Sequence, residues 1–111
     1  MKNDAPNFQN GVPEMVVLRL LAAREMYGYE LVKETQRTSQ GILTYGEGCV
    51  YPILHYLEAA RLVTRREEEV GGRSRTYYRL TPQGHKRLAE LKAQWDRVVQ
   101  GVQLTWGEQY A

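Results

Sequence analysis

Apolar residues recur at a helical spacing in the middle of the chain, between Glu47 and Arg61. They occupy positions i, i+3, i+4 and i+7 and are Val50, Ile53, Leu54 and Leu57. This spacing predicts an amphipathic helix with one buried stripe. The opposite side carries polar and aromatic residues, so we expect it to face solvent or a binding partner.

The segment that follows is typical of a β-hairpin. Strands are predicted at 62–70 and 73–80, and Gly71-Gly72 between them permits the positive φ angles of a tight turn. Thr81 and Pro82 predict the start of another helix, because threonine caps helix N-termini and proline is tolerated at the first helical position. Helix, hairpin and helix in this order indicate a winged-helix DNA-binding domain.

The first predicted helix is apolar around more than half of its circumference. It starts near Pro13 and Glu14, and its apolar residues are Met15, Val16, Val17, Leu18, Leu20, Leu21 and Ala22. A helix of this kind is buried on more than one side, which favours a partner subunit in a chain of 111 residues. A second helix is predicted at 29–38. In the loop 39–46 we expect Ile42-Leu43 to act as a small apolar plug.

The last predicted helix carries an apolar seam. Its members are spaced 3, 4, 3 and 4 residues apart and are Leu88, Leu91, Trp95, Val98 and Val102, the a/d pattern of a coiled coil. Two heptads do not form a coiled coil alone, so we expect the seam to meet the first helix of a second copy, including Met15 and Leu18. A C2 homodimer is the simplest closed arrangement. It would place two recognition helices about 34 Å apart and favour a palindromic operator.

The predicted fold class is therefore α+β, mainly α with a two-stranded β wing. It is a winged helix-turn-helix whose N-terminal and long C-terminal helices form a dimer interface. We expect a flexible arm at 1–10, the winged-helix domain at 11–80, the dimerisation helix at 81–104 and a tail at 105–111.

Composition excludes several classes of protein. Apolar residues make up 42% and charged residues 25% of the chain, as in ordinary globular domains. No apolar run is long enough to cross a bilayer, so we expect a cytoplasmic protein. The single cysteine, Cys49, allows no intramolecular disulfide and supplies too few thiolates for a structural zinc site. The net charge of +2 is weak evidence for a polyanionic partner, so the positions of the charges must decide.

Candidate DNA contacts lie on the middle helix and on the hairpin. Residues near the N-terminus of a recognition helix reach base edges, and here these are Cys49, Tyr51, Pro52 and His55. Arginine at a glycine-rich tip can contact phosphates or enter a narrow minor groove, and the hairpin candidates are Arg65, Arg73, Ser74 and Arg75. Two simpler interpretations stay open, since Tyr51 can pack at the rim of the core and Arg73-Ser74-Arg75 can be a solvated turn. The acidic run Glu67-Glu68-Glu69 is expected to point away from DNA or to pair with neighbouring arginines.

Several short motifs stand in a specific order. They are Tyr27-Gly28-Tyr29-Glu30-Leu31, Gly48-Cys49-Val50-Tyr51-Pro52-Ile53-Leu54 with Leu57-Glu58, Gly72-Arg73, and Tyr77-Tyr78-Arg79-Leu80-Thr81 with Gly84. Together, over about residues 11–102, the chain resembles the PadR family of bacterial transcription regulators. The resemblance implies a dimeric winged-helix repressor whose short members end in one dimerisation helix. Ala60 departs from the pattern, because the family often has glycine before the first wing strand.

The resemblance also implies an effector. In that family the space between the last helices of the two subunits can admit flat aromatic ligands, and members commonly lose DNA affinity when such a ligand binds. The residues here that would line such a site are Met15, Trp95 and Val99, although a core or interface role is the simpler interpretation of Trp95.

No enzymatic activity, cofactor or metal site is predicted. His55 and His85 lie on different elements, and no phosphate-binding glycine motif or histidine-rich metal spacing is present. Cys49, near a helix N-terminus, is either a thiol of lowered pKa that senses oxidants or a small buried filler. The alternative function is a winged-helix protein-interaction module with little specific DNA binding. Charge reversal in the cluster from Arg73 to Arg79 separates the two functions, because only DNA binding depends on it.

Overall fold

The computed structural model of the protein describes residues 11–107. Its elements are α1 (Gly11–Ala23), β1 (Met26–Tyr27), α2 (Gly28–Thr38), α3 (Glu47–Ala59), β2 (Val63–Val70), β3 (Arg73–Leu80) and α4 (Pro82–Thr105). This arrangement confirms the predicted α+β winged-helix fold. The predicted arm at 1–10 lies outside the described residues. Within the described part of the chain, none of the helices has the length and apolar character needed to cross a membrane.

The sheet has three strands, one more than the two that were predicted. It is antiparallel in the order β1-β3-β2, with Tyr27 opposite Tyr77 on one side of β3. A strand of two residues is too short to show an alternating pattern, which is why β1 escapes prediction. The hairpin turn is as expected, since Gly71 and Gly72 have φ values of 58° and 80°.

The core lies between the helices and the inner face of the sheet. Leu54 and Leu57 of α3 are fully buried, as the helical spacing predicts, and Tyr78 and Leu80 of β3 close the core from the sheet side. Burying a leucine side chain contributes about 1.5–3 kcal/mol relative to leaving it exposed. The stripe of α3 therefore fixes which face of this helix remains available to a partner.

Leu18 and Leu91 belong to this core, which corrects their prediction as dimer contacts. Leu18 has 0% of its surface exposed and Leu91 has 1%. The first part of α4 packs on α1 of the same chain, where Arg87 Nε donates to Glu14 Oε2 at 3.3 Å. Apolar spacing identifies a seam but does not say whether its partner is the same chain or a copy.

Ile42 is not a plug in the loop between α2 and α3, because 82% of its surface is exposed. The loop is held by hydrogen bonds at the end of α2 instead. The Leu43 N–H donates to Ser39 Oγ at 2.9 Å, and the Gly41 N–H donates to the Gln36 carbonyl at 2.7 Å. Polar closure of the helix end therefore replaces the expected apolar contact.

The end of α3 forms a Schellman motif, in which the Leu62 N–H donates to the Leu57 carbonyl at 2.9 Å and the Arg61 N–H to the Glu58 carbonyl at 3.0 Å. The left-handed residue of this motif is Arg61, with φ of 62°. Ala60 has an ordinary φ of −82°. Alanine in place of glycine at position 60 is therefore compatible with the turn.

Thr81 caps α4, as predicted. Its Oγ1 accepts from the Gly84 N–H at 3.0 Å and donates to the Arg61 carbonyl at 2.8 Å. A Cβ atom on Gly84 would overlap the carbonyl oxygen of Leu62. The first turn of α4 can therefore approach the start of the wing this closely only because residue 84 is glycine.

Candidate nucleic-acid interface

The outward face of α3 presents two of the four predicted helix contacts to solvent. Pro52 and His55 are exposed, whereas Cys49 and Tyr51 are half-buried. The helix begins after Gly46, which provides no side-chain cap. The first backbone N–H groups of α3 can therefore donate to an anion such as a phosphate.

Tyr51 packs inward against α2. A Cβ atom on Gly28 would overlap the Cε1, Cζ and hydroxyl oxygen atoms of the Tyr51 ring, and burial raises the pKa of the Tyr51 hydroxyl. The interpretation that Tyr51 packs at the rim of the core therefore accounts for its ring. A contact between its hydroxyl and DNA stays a prediction.

Cys49 does not have the lowered pKa that a helix N-terminus can produce. Burial raises the pKa of its thiol instead. A thiol with a raised pKa carries little thiolate at neutral pH, and thiolate is the form that oxidants attack. The environment of Cys49 therefore favours the filler interpretation over an oxidant sensor.

The strand register divides the wing side chains between two faces. Arg65 lies opposite Tyr78 and shares the inner face with the core, whereas Arg66 lies opposite Tyr77 on the outer face. Arg73 and Arg75 are in the same alternation as Tyr77, so they also belong to the outer face. The adjacent arginines 65 and 66 thus point in opposite directions, as alternation predicts.

Carboxylates neutralise the two arginines at the base of the wing. Arg65 Nε lies 3.1 Å from Glu58 Oε2, and Arg66 lies 2.8 Å from Glu25 and 2.9 Å from Glu68. The hydrogen bonds from Arg66 hold the pKa of Glu25 below its ordinary value. Arg65 is thereby the least available of the predicted wing contacts.

The other three arginines of the wing, two near its tip and one near its base, differ from this pair. Within residues 11–107 the salt bridges involve other cations, and Arg73, Arg75 and Arg79 form none. Ser74 donates its hydroxyl to Glu67 Oε1 at 3.1 Å and lies opposite Glu69, so two of the three acidic wing residues belong to the inner face. The outer face near the tip therefore keeps a net positive charge.

An aromatic pair on the outer face carries two wing arginines, the salt-bridged Arg66 and the unpaired Arg75. The rings of Tyr27 and Tyr77 meet edge to face, with centroids 5.5 Å apart and an interplanar angle of 83°. Arg66 Cζ lies 4.7 Å from the Tyr77 centroid, and Arg75 Cζ lies 4.5 Å from the Tyr27 centroid. We call this series Arg66, Tyr77, Tyr27 and Arg75 the outer-face ladder.

Tyr27 and Tyr77 are candidates that the sequence pattern does not reveal. Tyr27 and Tyr77 are far apart in sequence and meet only because β1 pairs with β3. The sequence does contain part of the information, since a hairpin turn at Gly71-Gly72 places Arg66, Arg75 and Tyr77 on one face of the sheet.

A groove of about 550 Å³ lies between α1, the end of α2 and α4. Its apolar lining is Met15, Val16, Leu20, Leu43, Leu88, Ala89 and Trp95. Met15 and Trp95 are two of the three effector candidates, and the third, Val99, is not part of the lining. Beyond the groove, α4 exposes 42% of Val102 and Trp106 follows it with 74% exposed.

Residues 17–90 match the Transcriptional regulator PadR-like family. The chain belongs to this family. The PadR-like match includes α3, both strands of the wing and the start of α4, which are the elements that carry the predicted contacts. The resemblance seen in the sequence motifs is thus confirmed.

Individual proteins similar to this chain are also transcriptional regulators. The transcriptional regulator YqjI of Escherichia coli K12 is 35% identical over 95 residues, which make up 86% of this chain and 44% of that protein, so this chain spans less than half of its length. The transcriptional regulator Rv3488 of Mycobacterium tuberculosis is 35% identical over 83 residues, 75% of each chain. The crystal structure of a PadR-like transcriptional regulator from Bacillus cereus superposes with a TM-score of 0.74 and 28% identity, covering 89% of this chain and 95% of that one.

Proposed function

We propose that the chain binds double-stranded DNA sequence-specifically through α3 and the wing and acts as a transcriptional repressor. The observation that carries this proposal is the charge of the wing. Arg73, Arg75 and Arg79 form no salt bridge within residues 11–107, while Glu68 pairs with Arg66 and Glu67 accepts from Ser74. Arginines without a carboxylate partner attract phosphates most strongly, and each phosphate they neutralise releases counterions.

The exposed residues of α3 and of the wing tip have separate roles in this proposal. Pro52 and His55, on the exposed face of α3, lie against base edges in the major groove. Tyr51 and the N-terminus of α3 contact the phosphate backbone, which fixes register without reading sequence. Arg73 and Arg75 contact phosphates beside the reading helix or enter the adjacent minor groove.

A homodimer completes the proposed regulator, with a palindromic operator as its target. The exposed apolar surface at the end of α4 supports this arrangement, because Val102 and Trp106 have no cover within the described chain. The groove is adjacent to this surface along α4. In the proposed dimer the surface that remains for contact includes Leu88, Trp95, Val98 and Val102, without the core residues Met15, Leu18 and Leu91.

The groove also supports a small aromatic effector. Its volume of about 550 Å³ lies within the range of about 300–1,000 Å³ that is usual for ligand pockets. Met15 and Trp95 line it, and the indole ring of Trp95 offers a stacking surface for a flat ligand. We propose that such a ligand lowers DNA affinity by changing how α1 and α4 meet.

Fluorescence anisotropy with the DNA upstream of the protein's own gene and a scrambled duplex, over a series of salt concentrations, tests this function. The wild-type protein is expected to prefer the upstream duplex and to lose affinity as salt rises. The double variant Arg73→Glu/Arg75→Glu is expected to bind at least about tenfold more weakly, with a log–log salt slope shallower by about 2.

The matched control is Lys86→Glu/Arg97→Glu. It makes the same charge change at two exposed positions on the side of α4 opposite the seam. If the wing variant and this control bind equally, the wing does not contact DNA. Equal and weak binding of the wild type to both duplexes would favour the protein-interaction module.

A further inference from the structure

The outer-face ladder connects the wing to the residue that precedes α2. We propose that Tyr27 is a positioning residue that holds Arg75 of the wing in its DNA-contacting orientation before DNA is bound. The DNA-contacting part of this inference rests on the proposed function. Its structural part concerns the free protein and can be tested without DNA.

The wing needs such a support because its strands bury little. All residues of β2 after Val63 are exposed, as are the first three residues of β3. An isolated two-stranded hairpin is only marginally stable in water. Contacts that tie the outer part of the wing to the rest of the protein therefore determine where its tip points.

Two contacts on the outer face provide this tie. Arg66 of β2 reaches Glu25, just before β1, at 2.8 Å, and Arg75 of β3 lies over the Tyr27 ring at 4.5 Å. Arg66 is near the base of the wing and Arg75 is near its tip. The Tyr27 contact is thus the one that acts on the outer half of the wing.

Stacking leaves Arg75 able to bind phosphate. A guanidinium group stacks on an aromatic ring through its flat face, while its five N–H donors point outward in its own plane. Arg75 forms no salt bridge within residues 11–107. Its donors are therefore aimed by Tyr27 and remain free of carboxylates, and less side-chain entropy is lost when they meet a phosphate.

Tyr27 is also well placed to relate the wing to the reading helix. It is the N-cap residue of α2, and the next residue, Gly28, receives the ring of Tyr51 from α3. Tyr27 thus contacts the wing through Arg75, and the adjacent Gly28 contacts α3 through Tyr51. The orientations of the wing and of α3 therefore both depend on contacts with Tyr27 and Gly28.

A double-mutant cycle between Tyr27 and Arg75 tests the inference. Tyr27→Leu, which keeps bulk but removes the aromatic face, is expected to weaken binding to the upstream duplex by about two- to fivefold. Tyr27→Phe keeps the ring and is expected to restore wild-type affinity. In an Arg75→Ala background, Tyr27→Leu is expected to cause no further loss.

A measurement on the free protein separates this inference from the proposed function. The heteronuclear ¹⁵N NOE of the Arg75 Nε–Hε group is expected to be high in the wild type and in Tyr27→Phe, and low in Tyr27→Leu. An equally mobile Arg75 in all three proteins would overturn the inference, and so would an equal affinity loss with and without Arg75. If the wild type binds neither duplex specifically, the proposed function fails, while the NOE still decides whether Tyr27 orders the Arg75 side chain.

Discussion

The ring of Tyr51 in α3 occupies the space into which a side chain on Gly28, at the start of α2, would project. The contact joins the two helices of the helix-turn-helix near their N-termini. It explains the glycine of the Tyr27-Gly28-Tyr29 motif by packing, since its φ is not in the left-handed region. The angle between α2 and α3 therefore depends on a missing Cβ atom.

Gly28→Ala is expected to destabilise the protein by about 1–3 kcal/mol, because the new methyl group must displace the Tyr51 ring. The free energy of unfolding from urea titration measures this. Gly48→Ala in α3 is the control, since a Cβ there meets no atom within 4 Å, and it is expected to be neutral or stabilising by up to about 1 kcal/mol. Adding Tyr51→Ala should reduce the cost of Gly28→Ala. Equal urea midpoints for the two glycine variants would contradict this account.

Arg61→Gly is expected to stabilise the protein by about 0.5–1 kcal/mol, because Arg61 holds the left-handed conformation that glycine adopts without strain. Ala60→Gly is the matched control at the position where the family often has glycine. It is expected to gain nothing, since Ala60 has φ of −82°. Thermal unfolding of the two variants measures the difference in stability. A larger gain in stability from Ala60→Gly would show that residue 60, and not Arg61, holds the left-handed conformation of the turn.

Val102→Glu is expected to raise the dissociation constant of the proposed homodimer by about tenfold or more, because it places a carboxylate in an apolar contact. Val102 exposes 42% of its surface within the single chain, so the substitution leaves the core of the subunit intact. Sedimentation velocity over a range of concentrations gives the dissociation constant. Gln100→Glu adds the same charge on the other side of α4 and should leave association unchanged. Unaltered association of Val102→Glu would remove the end of α4 from the interface.

Tyr78→Phe is expected to make the protein more resistant to alkaline unfolding. Burial raises the pKa of the Tyr78 hydroxyl above its ordinary value of 10.0, so the folded state favours the neutral phenol. This contribution is fully present below pH 10.0 and is lost as pH rises through the raised pKa. The urea midpoint should therefore fall less between pH 8 and a pH above 10 in Tyr78→Phe than in the wild type. Tyr56→Phe, at an exposed position, serves as the control and should follow the wild type.

Most of the fold could be predicted because its elements carry local signals. The stripe Val50, Leu54 and Leu57 specifies which side of α3 is buried, and Gly71-Gly72 sets the register of the wing. Thr81 caps α4 through a contact with Gly84, three residues away. Each of these signals lies within a few residues of the structure that it determines.

The candidate site was less predictable because its geometry depends on distant residues. The pairing of Arg66 with Glu68 follows from alternation along β2, but the pairings of Arg65 with Glu58 and of Arg66 with Glu25 do not. Tyr27 joins the site only through β1, which has two residues. The predicted contacts at Arg73 and Arg75 remain the best supported, since they depend on a turn that the sequence encodes locally.

The first turn of α4 meets the start of the wing at the Leu62 carbonyl. The Leu62 carbonyl accepts from the Thr81 N–H at 3.0 Å, and the same oxygen lies where a Cβ atom on Gly84 would be. From this contact α4 extends for 24 residues, a length of about 36 Å. A tilt of only about 3° moves its far end by about 2 Å. A small change in the angle at which α4 meets the wing would therefore be amplified into a larger displacement of Trp106, at the far end of the helix.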